Sequence, residues 1–326
     1  MRFIDVPGIG QCSCLALGTM AYTPERMEQA AGLLEAFVEM GGNVLDTAHN
    51  YGGEWEGRSE RALGRWLQGA GNRERVILLD KGAHPDRRGP RVTPAAIAAD
   101  LQDSLERLQV QVIDLYLLHR DDPGLPVGPI MEALNLHLRA GRIRAIGASN
   151  WTERRIEEAN AYAREHDLTG FVCSSTNLSL ARAKEARWPG CISLDRQGRD
   201  WHERTGFPLF SWSAQAGGFF TGRFGPERTD DADMVRVYYC EDNWERLRRA
   251  AALARAKGAT ATEVALAYVL HQPFPTSAII GPLTLEELRQ SASALRLALS
   301  ADEVGWLGLQ GRDAPGSGLP PGVPGR

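Results

Sequence analysis

Four side chains that together can deliver a proton to a carbonyl oxygen follow three successive apolar runs of the sequence. The runs occupy residues 43–46, 76–80 and 112–118. At or just after their ends stand Asp46, Tyr51, Lys81 and His119. If the runs are consecutive parallel strands, their carboxyl ends meet at the edge where barrel enzymes carry their catalytic groups. A phenol beside an ammonium, an imidazole and a carboxylate is suited to protonating an oxygen that gains charge. The pattern therefore predicts carbonyl reduction.

Carbonyl chemistry assigns a role to each of the four side chains. A free phenol has a pKa near 10, so Tyr51 needs help to act as the general acid/base at neutral pH. We expect Lys81 to lower that pKa and Asp46 to keep Lys81 charged and oriented. His119 would orient the carbonyl group by a hydrogen bond. Taken singly, a strand-end Asp, a Lys or a His is more often structural. His49 precedes Tyr51 in the same loop and is interpreted as non-catalytic.

The elements that must position these residues alternate regularly along the chain. Strand-like runs occupy residues 15–19, 43–46, 76–80, 112–118, 143–148, 171–174, 207–212 and 277–280. Most are followed by a helical pattern, and Thr-Pro pairs at Thr23 and Thr93 predict helix starts. Eight alternating units favour an α/β fold, a closed (β/α)8 TIM barrel, over an open doubly wound sheet. We predict one domain over residues 1–313, an irregular insertion near 219–239 and a Gly/Pro-rich tail over 314–326.

Four sequence motifs resemble the aldo-keto reductase superfamily. They are GGNVLDTAHNYG at 41–52, LDK at 79–81, LYLLH at 115–119 and IRAIGASN at 143–150. The likeness runs from about residue 14 to 299 and keeps the family's motif order. It implies a (β/α)8 barrel that interconverts an aldehyde or ketone with an alcohol. It also implies NADP(H) as the cofactor, with NAD(H) as the alternative, held without a Rossmann motif. No G-x-G-x-x-G follows a strand in this sequence.

The resemblance also implies which residues hold the nicotinamide and the pyrophosphate. Ser149 and Asn150 match the pair that binds the carboxamide, although Asn150 could instead cap the helix beginning near residue 152. Ser175 stands where the family usually has Gln. Trp212 matches the aromatic ring that stacks on the nicotinamide, with a core Trp as the alternative. Gly217 and Gly218 begin a loop that could approach the pyrophosphate closely.

At the adenosine end the sequence departs from the family pattern. Gly281 ends the eighth strand-like run, and Leu283 replaces the usual basic residue. Glu287 could contact the adenine or a ribose hydroxyl, and Arg289 could take over a 2′-phosphate. Either could instead be a surface charge. The helix start near Thr284 favours a phosphate in both cases. The choice between NADP(H) and NAD(H) therefore stays open.

Substrate selectivity is expected from loops at the same end of the barrel. Trp55 and Trp151 would be aromatic walls of the pocket or ordinary packing residues. Arg120, Asp121 and Asp122 predict a polar rim, which favours a hydroxylated, sugar-like carbonyl compound.

Composition excludes several other classes of function. The chain has 326 residues, a net charge of −4 and no Lys/Arg run longer than a pair, so neither nucleic acid nor an anionic membrane is an expected partner. No signal peptide or long apolar segment is evident. Five cysteines without a CxxC motif indicate reduced thiols in a cytoplasmic protein. No metal-binding motif is present. We expect a monomer or small homo-oligomer that acts on a small molecule.

Two other functions remain open from the sequence. One is a Schiff-base lyase that uses Lys81, which would need a depressed Lys pKa. The other is a cofactor-binding regulatory protein without turnover.

Overall fold

The structure, a computed structural model, describes residues 1–53 and 57–311. Within these residues eight parallel strands close into a barrel, and the last strand pairs with the first. The predicted (β/α)8 barrel is confirmed. Trp55 and the predicted tail at 314–326 lie outside the described residues.

An N-terminal hairpin and the barrel together contain ten strands in the described part of the chain. They are β1 Phe3–Val6, β2 Gly10–Ser13, β3 Leu15–Gly18, β4 Val44–Asp46, β5 Ile77–Gly82, β6 Ile113–Leu118, β7 Ile143–Ser149, β8 Ser174–Ser175, β9 Leu209–Ser211 and β10 Thr276–Ile280. β3 to β10 form the barrel in chain order. The sixth barrel strand begins later than the predicted 171–174, although Val172 already donates its N–H to the Ile146 carbonyl.

Helices follow the barrel strands and pack outside them. They are α1 Met27–Glu39, α2 Arg58–Leu67, α3 Pro94–Leu108, α4 Val127–Arg139, α5 Glu153–Glu165, α6 Arg196–Thr205, α7 Ala232–Tyr238, α8 Glu241–Lys257, α9 Ala261–Leu270, α10 Leu285–Ser293 and α11 Ala301–Leu307. None of the described helices is long and apolar enough to cross a membrane. The insertion predicted to be irregular contains α7, and α11 was not expected.

Helix starts follow the predicted capping chemistry at one of the two Thr-Pro pairs. Thr93 accepts a hydrogen bond from the Ala96 N–H, with Pro94 as the first residue of α3. Thr23, by contrast, precedes only a 3-10 turn and makes no side-chain cap; α1 begins at Met27. Sequence reasoning therefore placed the first helix start one turn too early.

The barrel interior is filled at its amino-terminal end and polar at the other. Val6 and Cys12 of the β1–β2 hairpin are fully buried against interior residues such as Leu79 and Leu115. The hairpin was not predicted, because its strands have four residues each and little apolar periodicity. With the amino-terminal end covered, the carboxyl end is left for function. All five cysteines are free thiols, and four are buried, which fits a packing role.

Two glycines on the outer helices test how tightly these helices pack. A Cβ on Gly64 would lie 2.3 Å from the Arg107 carbonyl oxygen, whereas a Cβ on Gly32 would meet nothing within 4 Å. We expect Gly64→Ala to lower the free energy of unfolding by about 1–3 kcal/mol, because backbone must move. Gly32→Ala, at an exposed position of α1, should raise the free energy of unfolding by about 0.5–1 kcal/mol. Urea unfolding measures both, and equal effects would contradict this packing.

Candidate active site

The four residues predicted to do chemistry meet at the carboxyl end of the barrel. The Lys81 Nζ donates to Asp46 Oδ1 at 2.5 Å, to the Thr47 carbonyl at 2.8 Å and to the Tyr51 hydroxyl at 3.4 Å. The His119 ring meets the Tyr51 ring edge-on, with centroids 5.7 Å apart. Asp46, Lys81 and His119 are buried, and Tyr51 is half-buried.

Strand register and a short continuation of strand pairing hold this arrangement. Lys81 faces the barrel interior, on the side of Leu79, because successive side chains of β5 alternate between its faces. Beyond β4 the chain stays paired to β5: the His49 N–H donates to the Lys81 carbonyl at 2.8 Å. The Tyr51 carbonyl then accepts from the Ser59 N–H in α2 at 3.2 Å. The loop that carries Tyr51 is thereby fixed at both ends.

The buried pair of Lys81 and Asp46 is an ion pair. Burial alone would lower the pKa of Lys81, but attraction from Asp46 and Tyr51 outweighs burial and raises it. Burial also raises the pKa of Asp46, against the pull of Lys81. Because the Lys81 pKa rises from an ordinary value of 10.5, far above that of a carboxyl group, the proton stays on the amine at neutral pH.

The expected lowering of the Tyr51 pKa is corrected by the structure. Burial raises the pKa of the phenol above its ordinary value, and Lys81 offsets only part of that rise. The expectation counted the charge of Lys81 but not the loss of water around the hydroxyl. The protein alone therefore keeps Tyr51 protonated, as a proton donor.

His119 is held in its neutral form. Burial lowers its pKa well below the ordinary value, and the charges of Lys81 and Arg120 lower it further. Its Nδ1 has no hydrogen-bond partner among the described residues. The His84 ring packs edge-on against it, with centroids 4.9 Å apart. A neutral imidazole can donate a hydrogen bond to a carbonyl group without carrying charge.

The residues expected at the carboxamide are close together but largely bonded to one another. The Asn150 amide nitrogen donates to the His119 carbonyl at 3.2 Å and to Ser149 Oγ at 3.0 Å. The Ser149 hydroxyl donates to the Ser175 carbonyl at 2.9 Å. Their oxygen atoms each keep one lone pair, which suits accepting from an amide NH₂ group. Asn150 is not the N-cap of α5, because Thr152 caps that helix.

A nicotinamide dinucleotide fits the polar atoms left over at this end of the barrel. The buried Ser175 Oγ and Trp212 Nε1 have no hydrogen-bond partner in the described part of the chain. Gly217 and Gly218 have φ of 63° and 88°, which L side chains rarely adopt. A Cβ on Gly217 would lie 2.9 Å from the Arg187 guanidinium, so a side chain would fill the space beside this loop. The residues present therefore suit the group that the sequence implied.

Of the side chains expected at the adenosine end, that of Glu287 has a hydrogen-bond partner within the described part of the protein, and that of Arg289 does not. Glu287 accepts the Leu283 N–H at 2.7 Å, within the turn that opens α10 at its N-cap Thr284. Arg289 is exposed, and its guanidinium has no partner among the described residues. Gly281 is exposed, with open space where a Cβ would stand. Arg289 is thus available for a phosphate, whereas Glu287 already has a structural bond.

Two expectations about the substrate pocket need correction. Trp151 is only 1% exposed, packs on Phe171 and donates its indole N–H to the Arg120 carbonyl. It is a core residue, the alternative that the sequence left open. The predicted polar rim is not formed as expected: Asp121 and Asp122 are half-buried, and Arg120 does not reach the surface. Arg120 is buried and donates to the carbonyls of His119 and Pro189.

The two carboxylates of that rim also have partners. Asp121 lies 3.3 Å from the Arg155 guanidinium, and Asp122 accepts the Gly124 N–H at 3.1 Å. These contacts do not confirm the expectation of a sugar-like substrate, which stays a prediction.

Arg120 is a residue beside the site that sequence reasoning placed wrongly. Its position directly after His119 pointed to the site, but charged residues are usually exposed, so it was assigned to the rim. His84 was missed altogether, although it lies three residues after Lys81. His49, interpreted as non-catalytic, bonds Asp103 in α3 through its Nε2 at 3.0 Å.

Comparisons with known proteins agree with the fold and the motifs. The model of the aldo/keto reductase family matches residues 14–307. The uncharacterized oxidoreductase YrpG of Bacillus subtilis is 30% identical over 304 residues, 89% of each chain. Protein tas of Escherichia coli is 28% identical, over 90% of this chain and 92% of its own. Norsolorinic acid reductase stcV of Emericella nidulans is 29% identical, over 90% and 76%.

A solved structure supports the fold in the same way. The thermostable aldo-keto reductase Tm1743, crystallised with the inhibitor epalrestat, superposes with a TM-score of 0.73 at 24% identity, covering 95% of this chain and 100% of that one. The chain belongs to the aldo/keto reductase family. Membership of this family and its oxidoreductase relatives support an oxidoreductase enzyme. The solved structure has the same barrel fold.

The Lys81–Asp46 pair should show strong energetic coupling. Lys81→Met leaves a buried carboxylate without its partner, so we expect a loss of about 3–5 kcal/mol in the free energy of unfolding. Asp46→Asn should also be costly, because it leaves the buried ammonium unpaired. The double variant should lose less than the two single losses added together. Denaturant unfolding of all four proteins measures this, and additive losses would mean that the two groups do not interact.

The neutral state of His119 should make the protein less stable in mild acid. Because its folded pKa is lowered, the unfolded chain binds the extra proton as pH falls through the unfolded value near 6.5, and the free energy of unfolding decreases. His119→Gln should reduce the loss of stability between pH 8 and pH 5. The exposed His166→Gln should leave that loss unchanged. Urea unfolding at pH 8 and pH 5 measures this loss. An equal loss in the unmodified protein and both variants would contradict a buried neutral imidazole.

Proposed function

We propose that this protein is an NAD(P)(H)-dependent aldo-keto reductase, or alcohol dehydrogenase in the reverse direction. It would interconvert an aldehyde or ketone and an alcohol, with Tyr51 as the general acid/base. One observation carries the proposal: the Lys81 Nζ donates to Asp46 and to the Tyr51 hydroxyl at once. This places a fixed positive charge where a phenolate would form.

The catalytic residues have separable roles in this proposal. When the carbonyl oxygen gains charge, the Tyr51 O–H donates its proton, and the phenolate that remains faces the Lys81 ammonium at 3.4 Å. Asp46 holds Lys81 charged and aimed, because it accepts one of its three N–H bonds. His119 is neutral and offers a hydrogen bond that orients the carbonyl group before reaction.

NADP(H) is the proposed cofactor, with NAD(H) as the alternative. When bound, the nicotinamide supplies the hydride. Ser149, Asn150 and Ser175 would hold its carboxamide, and Trp212 would pack on its ring. The loop of Gly217 and Gly218, with Gly281 after β10, would lie at the phosphates. Arg289 would be the 2′-phosphate ligand in place of Leu283.

The Schiff-base alternative is less well supported than the reductase. A lysine that attacks a carbonyl must lose its proton, and Asp46 raises the pKa of Lys81 instead. No observation favours a regulatory protein without turnover. The unpaired cysteines support a cytoplasmic location, and we propose a monomer or small homo-oligomer as the working state.

Removing the Tyr51 hydroxyl should slow the chemical step strongly without disturbing cofactor binding. We expect Tyr51→Phe to lower kcat for a test aldehyde by about 10²–10⁴, the usual contribution of general acid catalysis. The dissociation constants of NADPH and NADH, measured by tryptophan fluorescence, should change less than twofold. Tyr162→Phe removes a hydroxyl that bonds Glu132 on the outer helices and should change neither quantity.

Each outcome of this experiment has a distinct meaning. If Tyr51→Phe kept most of its rate, the acid would have to be another group. If the unmodified protein bound neither nucleotide, the reductase proposal would fail. The tighter nucleotide would show whether Arg289 compensates for Leu283.

A further inference from the structure

A segment between β8 and α6 is hydrogen-bonded to Arg120 and Asn150 at the carboxyl end of the barrel. We define it as the Trp188 segment, residues 186–193. Arg120 Nε donates to its Pro189 carbonyl at 3.1 Å, and its Ile192 N–H donates to Asn150 Oδ1 at 3.2 Å. At its start Arg236 donates to the Ala186 carbonyl at 3.1 Å. Three separate side chains thus fix its backbone.

The fixed segment carries a large aromatic side chain that stays accessible. Trp188 is 37% exposed. Its ring lies 5.8 Å from the ring of Trp212, at an angle of 45°. The Arg187 guanidinium lies 4.9 Å from the Trp188 ring centroid. The indole therefore contacts a second indole and a cation, and part of its surface remains exposed.

Arg120 connects this indole pair to the catalytic residues. Its guanidinium donates to the His119 carbonyl at 2.8 Å as well as to Pro189. Its charge also helps to lower the pKa of His119 and offsets part of the rise in the pKa of Tyr51. The Trp188 segment is therefore bonded to the residue that adjoins the imidazole, and it lies within electrostatic reach of the phenol.

Accessible groups near this end favour an aromatic ligand over a hydroxylated one. Asp121 and Asp122, the carboxylates that could bind sugar hydroxyls, are bonded to Arg155 and to backbone. Among the described residues, the Trp188 indole keeps part of its surface exposed beside Trp212. Indole faces favour flat rings, because stacked or edge-on aromatic contacts add to the burial of apolar area.

We propose that Trp188, packed against Trp212, is a specificity-determining residue that forms an aromatic wall of the substrate pocket beside the nicotinamide site and selects planar aromatic aldehydes and ketones over small aliphatic ones. The proposal names the substrate class of the function proposed above and rests on it for the reaction, but not for binding of the aromatic ring.

The test compares two aldehydes across three variants. In Trp188→Ala we expect kcat/KM for 2-naphthaldehyde to fall about tenfold, while kcat/KM for propanal changes less than twofold. Trp188→Phe should keep most of the preference, because it restores an aromatic face. Leu136→Ala removes another exposed apolar side chain, on α4, and should change neither value. Equal losses for both aldehydes, or none for 2-naphthaldehyde, would overturn the proposal.

Binding without turnover separates this inference from the proposed function. If the unmodified protein reduced neither aldehyde, the proposed function would fail. Calorimetric titration with 2-naphthalenemethanol, the matching alcohol, would still decide the inference. About tenfold weaker binding to Trp188→Ala than to the unmodified protein and Leu136→Ala would support the aromatic wall. Equal affinity of Trp188→Ala and the unmodified protein for this alcohol, or no binding to the unmodified protein, would refute the aromatic wall.

Discussion

The buried ion pair between Lys81 and Asp46 is the interaction on which the site depends. Desolvating two charges costs several kcal/mol per ion, which only close pairing and further hydrogen bonds can offset. The ammonium group meets this need with a carboxylate, a backbone carbonyl and the Tyr51 hydroxyl. All three acceptors come from β4 and the loop after it. The register of β4 against β5 therefore decides whether the pair can form at all.

The opposite face of β5 is polar for a related reason. Alternation turns Asp80 outward, toward α2 and α3, where its Oδ1 accepts the Lys81 N–H at 2.8 Å. Glu60 lies fully buried in the same layer and pairs with Arg107 at 3.0 Å. Burial, with the nearby Glu60 second, raises the pKa of Asp80 well above its ordinary value. Lys81 is thus fixed through its backbone on one face and through its ammonium on the other.

Sequence reasoning succeeded where chemistry and strand ends coincide. Asp46, Tyr51, Lys81 and His119 were predicted to meet because they follow consecutive apolar runs, and parallel strands end at one edge. It failed where burial competes with residue type. Arg120 is buried because backbone carbonyls accept its N–H bonds, and no pattern along the chain shows that contact. The Tyr51 pKa failed for the same reason, since desolvation depends on how the loop packs. Trp188 was not singled out, because its contact with Trp212 spans two distant loops.

The cofactor end is held by a different kind of constraint. Asn150 has φ of 59°, a left-handed backbone conformation that costs about 1 kcal/mol or more in a residue other than glycine. Its side chain holds it there, with bonds to the His119 carbonyl, Ser149 and the Ile192 N–H. These bonds join β6, β7 and the Trp188 segment at one residue. Because Asn150 links the backbone of His119 to that segment, the imidazole proposed to orient the carbonyl and the groups proposed to contact the cofactor and substrate are joined by hydrogen bonds. A shift of the segment's backbone, unlike loss of the Trp188 side chain, is therefore expected to reach the imidazole through Asn150 and Arg120, and not through the ion pair.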